Sequence, residues 1–215
     1  MDRELTLVEH LDELRRRIII SLASLGIATV ASLPLSTYLL KILKLPAAGV
    51  IEKLAFFSPQ EAFLIYMRVS FLCGFFIAFP VISYQFWVFI SPAVEKRFKK
   101  HVTYFIIFSS ITFAAGCLFA YFILLPKALK FLLSFGLDEL EPVISAAKYI
   151  SFVTSIILSC GLIFQMPVLS YLLTKIGLIN AGLLRRKFKF AIVAIFVAAA
   201  VITPTTDIFI EITNT

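Results

Sequence analysis

The sequence predicts an all-α integral membrane protein that crosses the bilayer several times, and three observations carry that prediction. Of 215 residues, 60% are hydrophobic and 15% charged, whereas about a quarter of a soluble domain is charged. Phe supplies 23 residues and Gly only 8, so the apolar content is bulky material for lipid and packing rather than low-complexity filler. The charges fall in short clusters separated by apolar stretches, each a candidate span for a hydrocarbon core about 30 Å thick. A net charge of +7 distributed in this way is a topology signal. No nucleic-acid partner is expected; the partner read from composition is the lipid bilayer.

The chain opens on a charged segment, EHLDELRRR, residues 9–17. Leu7, Leu11, Leu14 and Ile18 recur at helical steps and form an apolar stripe that should lie on or against the membrane. The remaining faces carry Glu9, Asp12 and Glu13. Asp12 with Arg16, and Glu13 with Arg17, stand four residues apart, pairs worth a few tenths of a kcal/mol each. Two readings follow: self-paired surface charge, or a carboxylate that receives a basic ligand on an otherwise positive face. Arg15 to Arg17 before an apolar run also has the form of a secretory leader. The acidic residues mixed among them and the spans that follow argue for a retained helix.

The spans follow in order. The first covers residues 18–40 between Arg17 and Lys41, with Pro34 kinking its second half. The second, 69–89, has Arg68 at its front edge, and Tyr84 and Trp87 at the level of an aromatic belt. The third, 102–125, is stopped by Pro126. The fourth, 149–174, is free of charge but interrupted by Gln165 and Pro167. The fifth, 190–206, has an apolar part of only 13 residues, about 20 Å of helix, a mismatch met by local bilayer thinning. Basic residues fix the orientation: Arg3 and Arg15 to Arg17, then the cluster from Lys96 to Lys100, then Lys175 and the cluster from Arg185 to Lys189, outnumber those on the opposite side. The N-terminus is therefore expected in the cytoplasm.

Catalytic arrangements are not found. Gly177 and Gly182 have the outer spacing of a phosphate loop, but Leu183 and Leu184 stand where Lys and Ser or Thr are needed. His10 and His101 lack HExxH or CxxC company and read as ordinary solvated side chains, so neither a metal site nor any other cofactor is expected. Cys73, Cys117 and Cys160 lie in apolar stretches and are odd in number, which argues against a simple disulfide framework. Polar groups at particular depths remain. Residues 80–100 form an aromatic, proline-broken connection whose one carboxylate is Glu95; it is either an interfacial connector or the wall of a peptide-binding surface. Gln165, inside the fourth span, either bonds a neighbouring helix or faces a polar cavity.

HLDELRRR before the first span, PVISYQFWVFISPA after the second, FAYFILLPKALKFL at the exit of the third, YISFV and FQMPV in the fourth and ITPTTD after the fifth resemble, in one order, the TatC family of the twin-arginine protein translocase. The resemblance implies a cupped, all-helical receptor that recognises signal peptides bearing two consecutive arginines and helps to export folded precursors across the cytoplasmic (inner) membrane. It implies no enzymatic activity. The partners implied are TatB-like and TatA-like single-span membrane proteins in hetero- and homo-oligomers, driven by the proton-motive force.

Matched position by position, Glu13 takes the place of the N-terminal signal-binding Glu, flanked by His10 and Arg17. Gln85, Phe89 and Pro92 match the first cytoplasmic loop, Pro46 the exit of the first span and Phe63 the outer segment before the second. Pro167 falls in the fourth-span motif and Asp207 in the motif after the fifth. Three departures accompany the match. The second signal-binding Glu of the family is Phe98 here, with Glu95 three residues earlier as a substitute. The intramembrane Glu is Gln165. The TPPD motif appears with one extra residue, from Thr203 to Asp207, and the sixth span of the family is missing, so the chain reads as truncated or divergent at its end. The competing reading is a small-solute transporter or channel subunit, which would need several polar groups converging at the midplane.

Overall fold

The computed structural model describes residues 7–47, 54–90, 102–134 and 144–175. The fifth expected span lies outside the described residues. The first helix, α1 (Leu7–Ser32), is unbroken, so the charged opening segment and the first span share one axis. Pro34 ends it: the chain passes through a 3-10 turn, Leu33–Leu35, into α2 (Ser36–Lys44), because a proline cannot donate the next helical hydrogen bond. Hydroxyls add donors to nearby carbonyls. Ser32 donates to Ala28 at 2.7 Å and Ser36 to Leu33 at 2.5 Å.

The carbonyls in the last turn of a helix run short of backbone donors; here the Ile42 carbonyl accepts from the Leu45 N–H, and two tyrosines add hydroxyl donors to it and to its neighbour Leu43. Tyr121 donates its hydroxyl to the Ile42 carbonyl at 2.7 Å, and Tyr149 to that of Leu43 at 2.8 Å. A second 3-10 turn, Leu45–Ala47, follows and holds Pro46 half-buried.

The next element is a minimal parallel pair, β1 (Leu54–Ala55) with β2 (Ile144–Ser145). Each strand leads into a helix, and the two caps are joined. At the start of α3 (Pro59–Ile90), Ser58 accepts from the Gln60 N–H at 3.4 Å and Glu61 reaches back to the Phe57 N–H at 3.2 Å, a variant of the S-x-x-E capping box with proline at its first helical position. Ser145 caps α6 (Ala146–Ile163) by accepting from the Lys148 N–H at 3.3 Å, and donates to Glu61 at 3.5 Å.

Helix α4 (Val102–Phe119) continues through a π-turn, Ala120–Leu124, into α5 (Leu125–Ser134). Pro126 therefore does not stop the helix, as the sequence suggested. It occupies the second position of α5, and the wide turn before it takes up the ring that would otherwise strike the preceding carbonyl. At the other end of α6, the N–H groups of Phe164 and Gln165 bond the Cys160 and Leu162 carbonyls, each at 3.0 Å. The chain here divides into two units, Met1–Met166 and Pro167–Thr215. Of the second, α7 (Met166–Lys175) is described, with Pro167 exposed near its start.

In the first unit α3 is central, with α1 along one side and α4 and α6 on others. Lipid gives helices no hydrophobic reason to associate, so close packing must do it. Gly74 lets α1 and α3 meet: a Cβ there would stand 2.6 Å from the Thr29 backbone. Gly161 similarly admits Phe113 and Cys117. Phe113, 1% exposed, stacks on Phe79 at 4.0 Å between centroids and is flanked by Phe75 and Phe76. Trp87 is a correction: it is buried against Phe105 at 4.6 Å, while Tyr84 alone of the expected belt pair is exposed. Cys73, Cys117 and Cys160 are free thiols. Among the described residues, four helical stretches are long and apolar enough to cross a membrane: His10–Ala47, Pro59–Ile90, Val102–Leu132 and Ala146–Leu172.

Candidate functional site

Helical periodicity brings the opening segment's polar residues to the C-terminal end of α3. His10, Glu13 and Arg17 fall at steps of three and four on α1, and Gln85 and Phe89 four apart on α3, so each set shares a face. The two faces meet. The Arg17 guanidinium donates through Nη2 to Glu13 Oε1 at 3.1 Å and through Nη1 to Gln85 Oε1 at 3.0 Å. The Glu13 and Arg17 side chains are 23% and 24% exposed, sheltered yet reachable from water. His10, one turn before Glu13, is half-buried rather than solvated and stacks on Phe89, centroids 4.6 Å apart.

A cavity of about 260 Å³ adjoins this cluster, walled by Leu14, Ile18, Leu22, Ile82 and Phe86, with Arg17 and Gln85 at its polar edge. The Nε of Arg17 is buried beside it without a hydrogen-bond partner. One carboxylate thus stands in this cluster with Oε1 engaged by Arg17 and acceptor capacity remaining on Oε2. Such a group can take a guanidinium or an ammonium. By contrast, Asp12 and Arg16 stand away from this cluster.

The second polar site lies in Ala146–Leu172, a stretch long and apolar enough to cross a membrane. Gln165, 8% exposed, accepts from Ser109 Oγ at 2.7 Å and donates through Nε2 to the Ser109 carbonyl at 3.1 Å. Ser83 lies 3.3 Å from Ser109 Oγ, which extends the chain of polar groups to α3. The geometry is that of a helix-to-helix hydrogen bond. Among the described residues, no three His, Cys, Asp or Glu side chains gather where they could hold a metal ion.

The family model described as "Sec-independent protein translocase protein (TatC)" matches residues 9–214. The chain belongs to the TatC family. The TatC of Campylobacter jejuni is 41% identical over 200 residues, covering 91% of this chain and 82% of that protein. The TatC of Aquifex aeolicus is 41% identical over 202 residues, covering 92% and 84%. A crystal structure of the twin-arginine translocase receptor TatC superposes with a TM-score of 0.82 at 40% identity, covering 91% of this chain and 88% of that one. The chain is thus a multi-pass membrane protein and a translocase component.

Of the residues matched to TatC motifs, the structure brings together His10, Glu13, Arg17, Gln85 and Phe89. Pro46 and Phe63 lie apart from them, Phe63 being 66% exposed near the start of α3. Pro92, Glu95, Phe98 and Asp207 fall outside the described residues. Sequence reasoning missed Ser109 and the two tyrosines that cap α2. A serine pair inside an otherwise apolar span was the available signal for Ser109, and nothing in spacing alone marks the tyrosines.

Proposed function

We propose that the chain is the signal-peptide receptor and core component of the twin-arginine translocase, recognising paired arginines at Glu13 and exporting folded precursors. The observation that carries this reading is the carboxylate of Glu13, 23% exposed and joined through Arg17 to Gln85 of α3, with acceptor capacity to spare. A guanidinium can bond it through two parallel N–H groups, whereas an ammonium meets it as a point charge. Glu95 serves as second carboxylate in place of Phe98. The chain is one membrane domain in the cytoplasmic membrane with its N-terminus inside, and it assembles with TatB-like and TatA-like single-span proteins. It performs no covalent chemistry and needs no cofactor; the proton-motive force drives export. A solute-transporter reading draws no support from Gln165, whose amide is satisfied by Ser109.

Photo-crosslinking of signal peptides to the membrane-embedded chain tests this. A peptide with RR should crosslink to the wild type far better than one with KK, and Glu13→Ala should remove the difference. Equal yields from all four combinations contradict the receptor reading.

A further inference from the structure

A free glutamate on a helix samples several rotamers, and fixing one has an entropic cost that a ligand must otherwise meet on binding. In this chain the cost is met before the ligand arrives. Arg17 grips Glu13 Oε1 with Nη2 at 3.1 Å, and Nη1 of the same guanidinium is held by Gln85 Oε1 at 3.0 Å, 68 residues away on α3. The planar guanidinium makes the two contacts mutually rigid, so α3 sets the orientation of a carboxylate that belongs to α1. Apolar walls stand beside Arg17 on the cavity side. Glu13 still has lone pairs for a fork, because a carboxylate offers about four acceptor positions and Arg17 uses one.

We propose that Arg17 and Gln85 are positioning residues that act through Glu13 and set the preference of the site for arginine over lysine in its peptide ligand. The assignment rests on the receptor reading above. A two-bond fork needs the carboxylate plane held at one angle, whereas an ammonium tolerates rotation. Loosening the Gln85–Arg17–Glu13 chain therefore weakens RR binding selectively. A merely structural role for Gln85 would lower binding of every peptide alike.

The test is equilibrium binding of RR and KK signal peptides to the full chain in lipid nanodiscs. Gln85→Leu should weaken RR binding about tenfold, the equivalent of one charge-assisted hydrogen bond, and change KK binding less than about twofold. Gln85→Glu keeps an acceptor for Arg17 and should retain the preference. Arg17→Lys keeps a cation beside Glu13 but cannot span to Gln85, so it should lose the preference even if Gln85→Leu fails to fold. Equal loss for both peptides, or no loss for RR, overturns the positioning role while a deleterious Glu13→Ala leaves the receptor reading standing. An inert Glu13→Ala overturns both.

Discussion

Gln165 and Ser109 satisfy one another twice: the amide oxygen accepts from the serine hydroxyl at 2.7 Å, and the amide nitrogen donates to the serine carbonyl at 3.1 Å. A polar group in a stretch long and apolar enough to cross a membrane is thereby satisfied locally, and α4 is tied to the end of α6. Interhelical hydrogen bonds in membranes contribute about 0.6 kcal/mol on average and up to about 1.7 kcal/mol. A double-mutant cycle with Gln165→Leu and Ser109→Ala, read by thermal unfolding in detergent, should give a coupling energy of about 1 kcal/mol. The Gln165→Leu change alone should leave RR-peptide binding unaltered, since the site at Glu13 does not involve it.

Two glycines should respond oppositely to the same change. Gly74 is pressed against the Thr29 backbone, where a Cβ would stand at 2.6 Å. Gly74→Ala should therefore force α1 from α3 and destabilise by about 1–3 kcal/mol, the usual range for overpacking. A methyl added at Gly26 would meet nothing within 4 Å, and Gly26→Ala should stabilise α1 by about 0.5–1 kcal/mol through reduced backbone freedom. Unfolding midpoints of the two variants check the signs.

The tyrosine caps on α2 give a graded pair. Tyr149 is 3% exposed, so Tyr149→Phe strands the Leu43 carbonyl and should lower stability by about 1–3 kcal/mol, the range for an unsatisfied buried group. Tyr121 is only half-buried and its hydroxyl contact lies nearer the surface. Tyr121→Phe should have the smaller effect on the unfolding midpoint.

Glu61 joins the starts of α3 and α6 through the Phe57 N–H and the Ser145 hydroxyl. Glu61→Ala should remove about 0.5–2 kcal/mol, as for other helix caps. Hydrogen exchange should accelerate locally at residues 54–61 and 144–148 while the Phe113 core stays protected.

The sequence made the local relationships visible and hid the distant ones. Glu13 and Arg17 could be paired by counting four residues, and Pro34 could be expected to kink the first span because a missing N–H acts within one turn. The contact of Arg17 with Gln85 spans 68 residues and depends on how α1 crosses α3, which no periodicity encodes. Trp87 was misplaced for a related reason: α3 is apolar on every side, so its pattern does not distinguish a face toward lipid from a face toward Phe105. Pro126 looked like a stop, since the π-turn that accommodates it is a property of five residues together. The parallel pair of Leu54–Ala55 with Ile144–Ser145 is too short for alternation to register. The motif resemblance found the residues of the candidate site, but only geometry shows that His10 packs on Phe89 and that Gln85 reaches Glu13 through Arg17.

The central claim is that Glu13 receives the arginines of a signal peptide. Glu13→Gln changes the carboxylate to an amide of the same shape, removing the charge and half the acceptor capacity while disturbing packing least. The dissociation constant of an RR signal peptide for the chain in nanodiscs should rise at least about tenfold in this variant, since hydrogen bonds to charged groups are worth about 1.5–3 kcal/mol. An RR peptide that binds Glu13→Gln as tightly as the wild type would contradict the account.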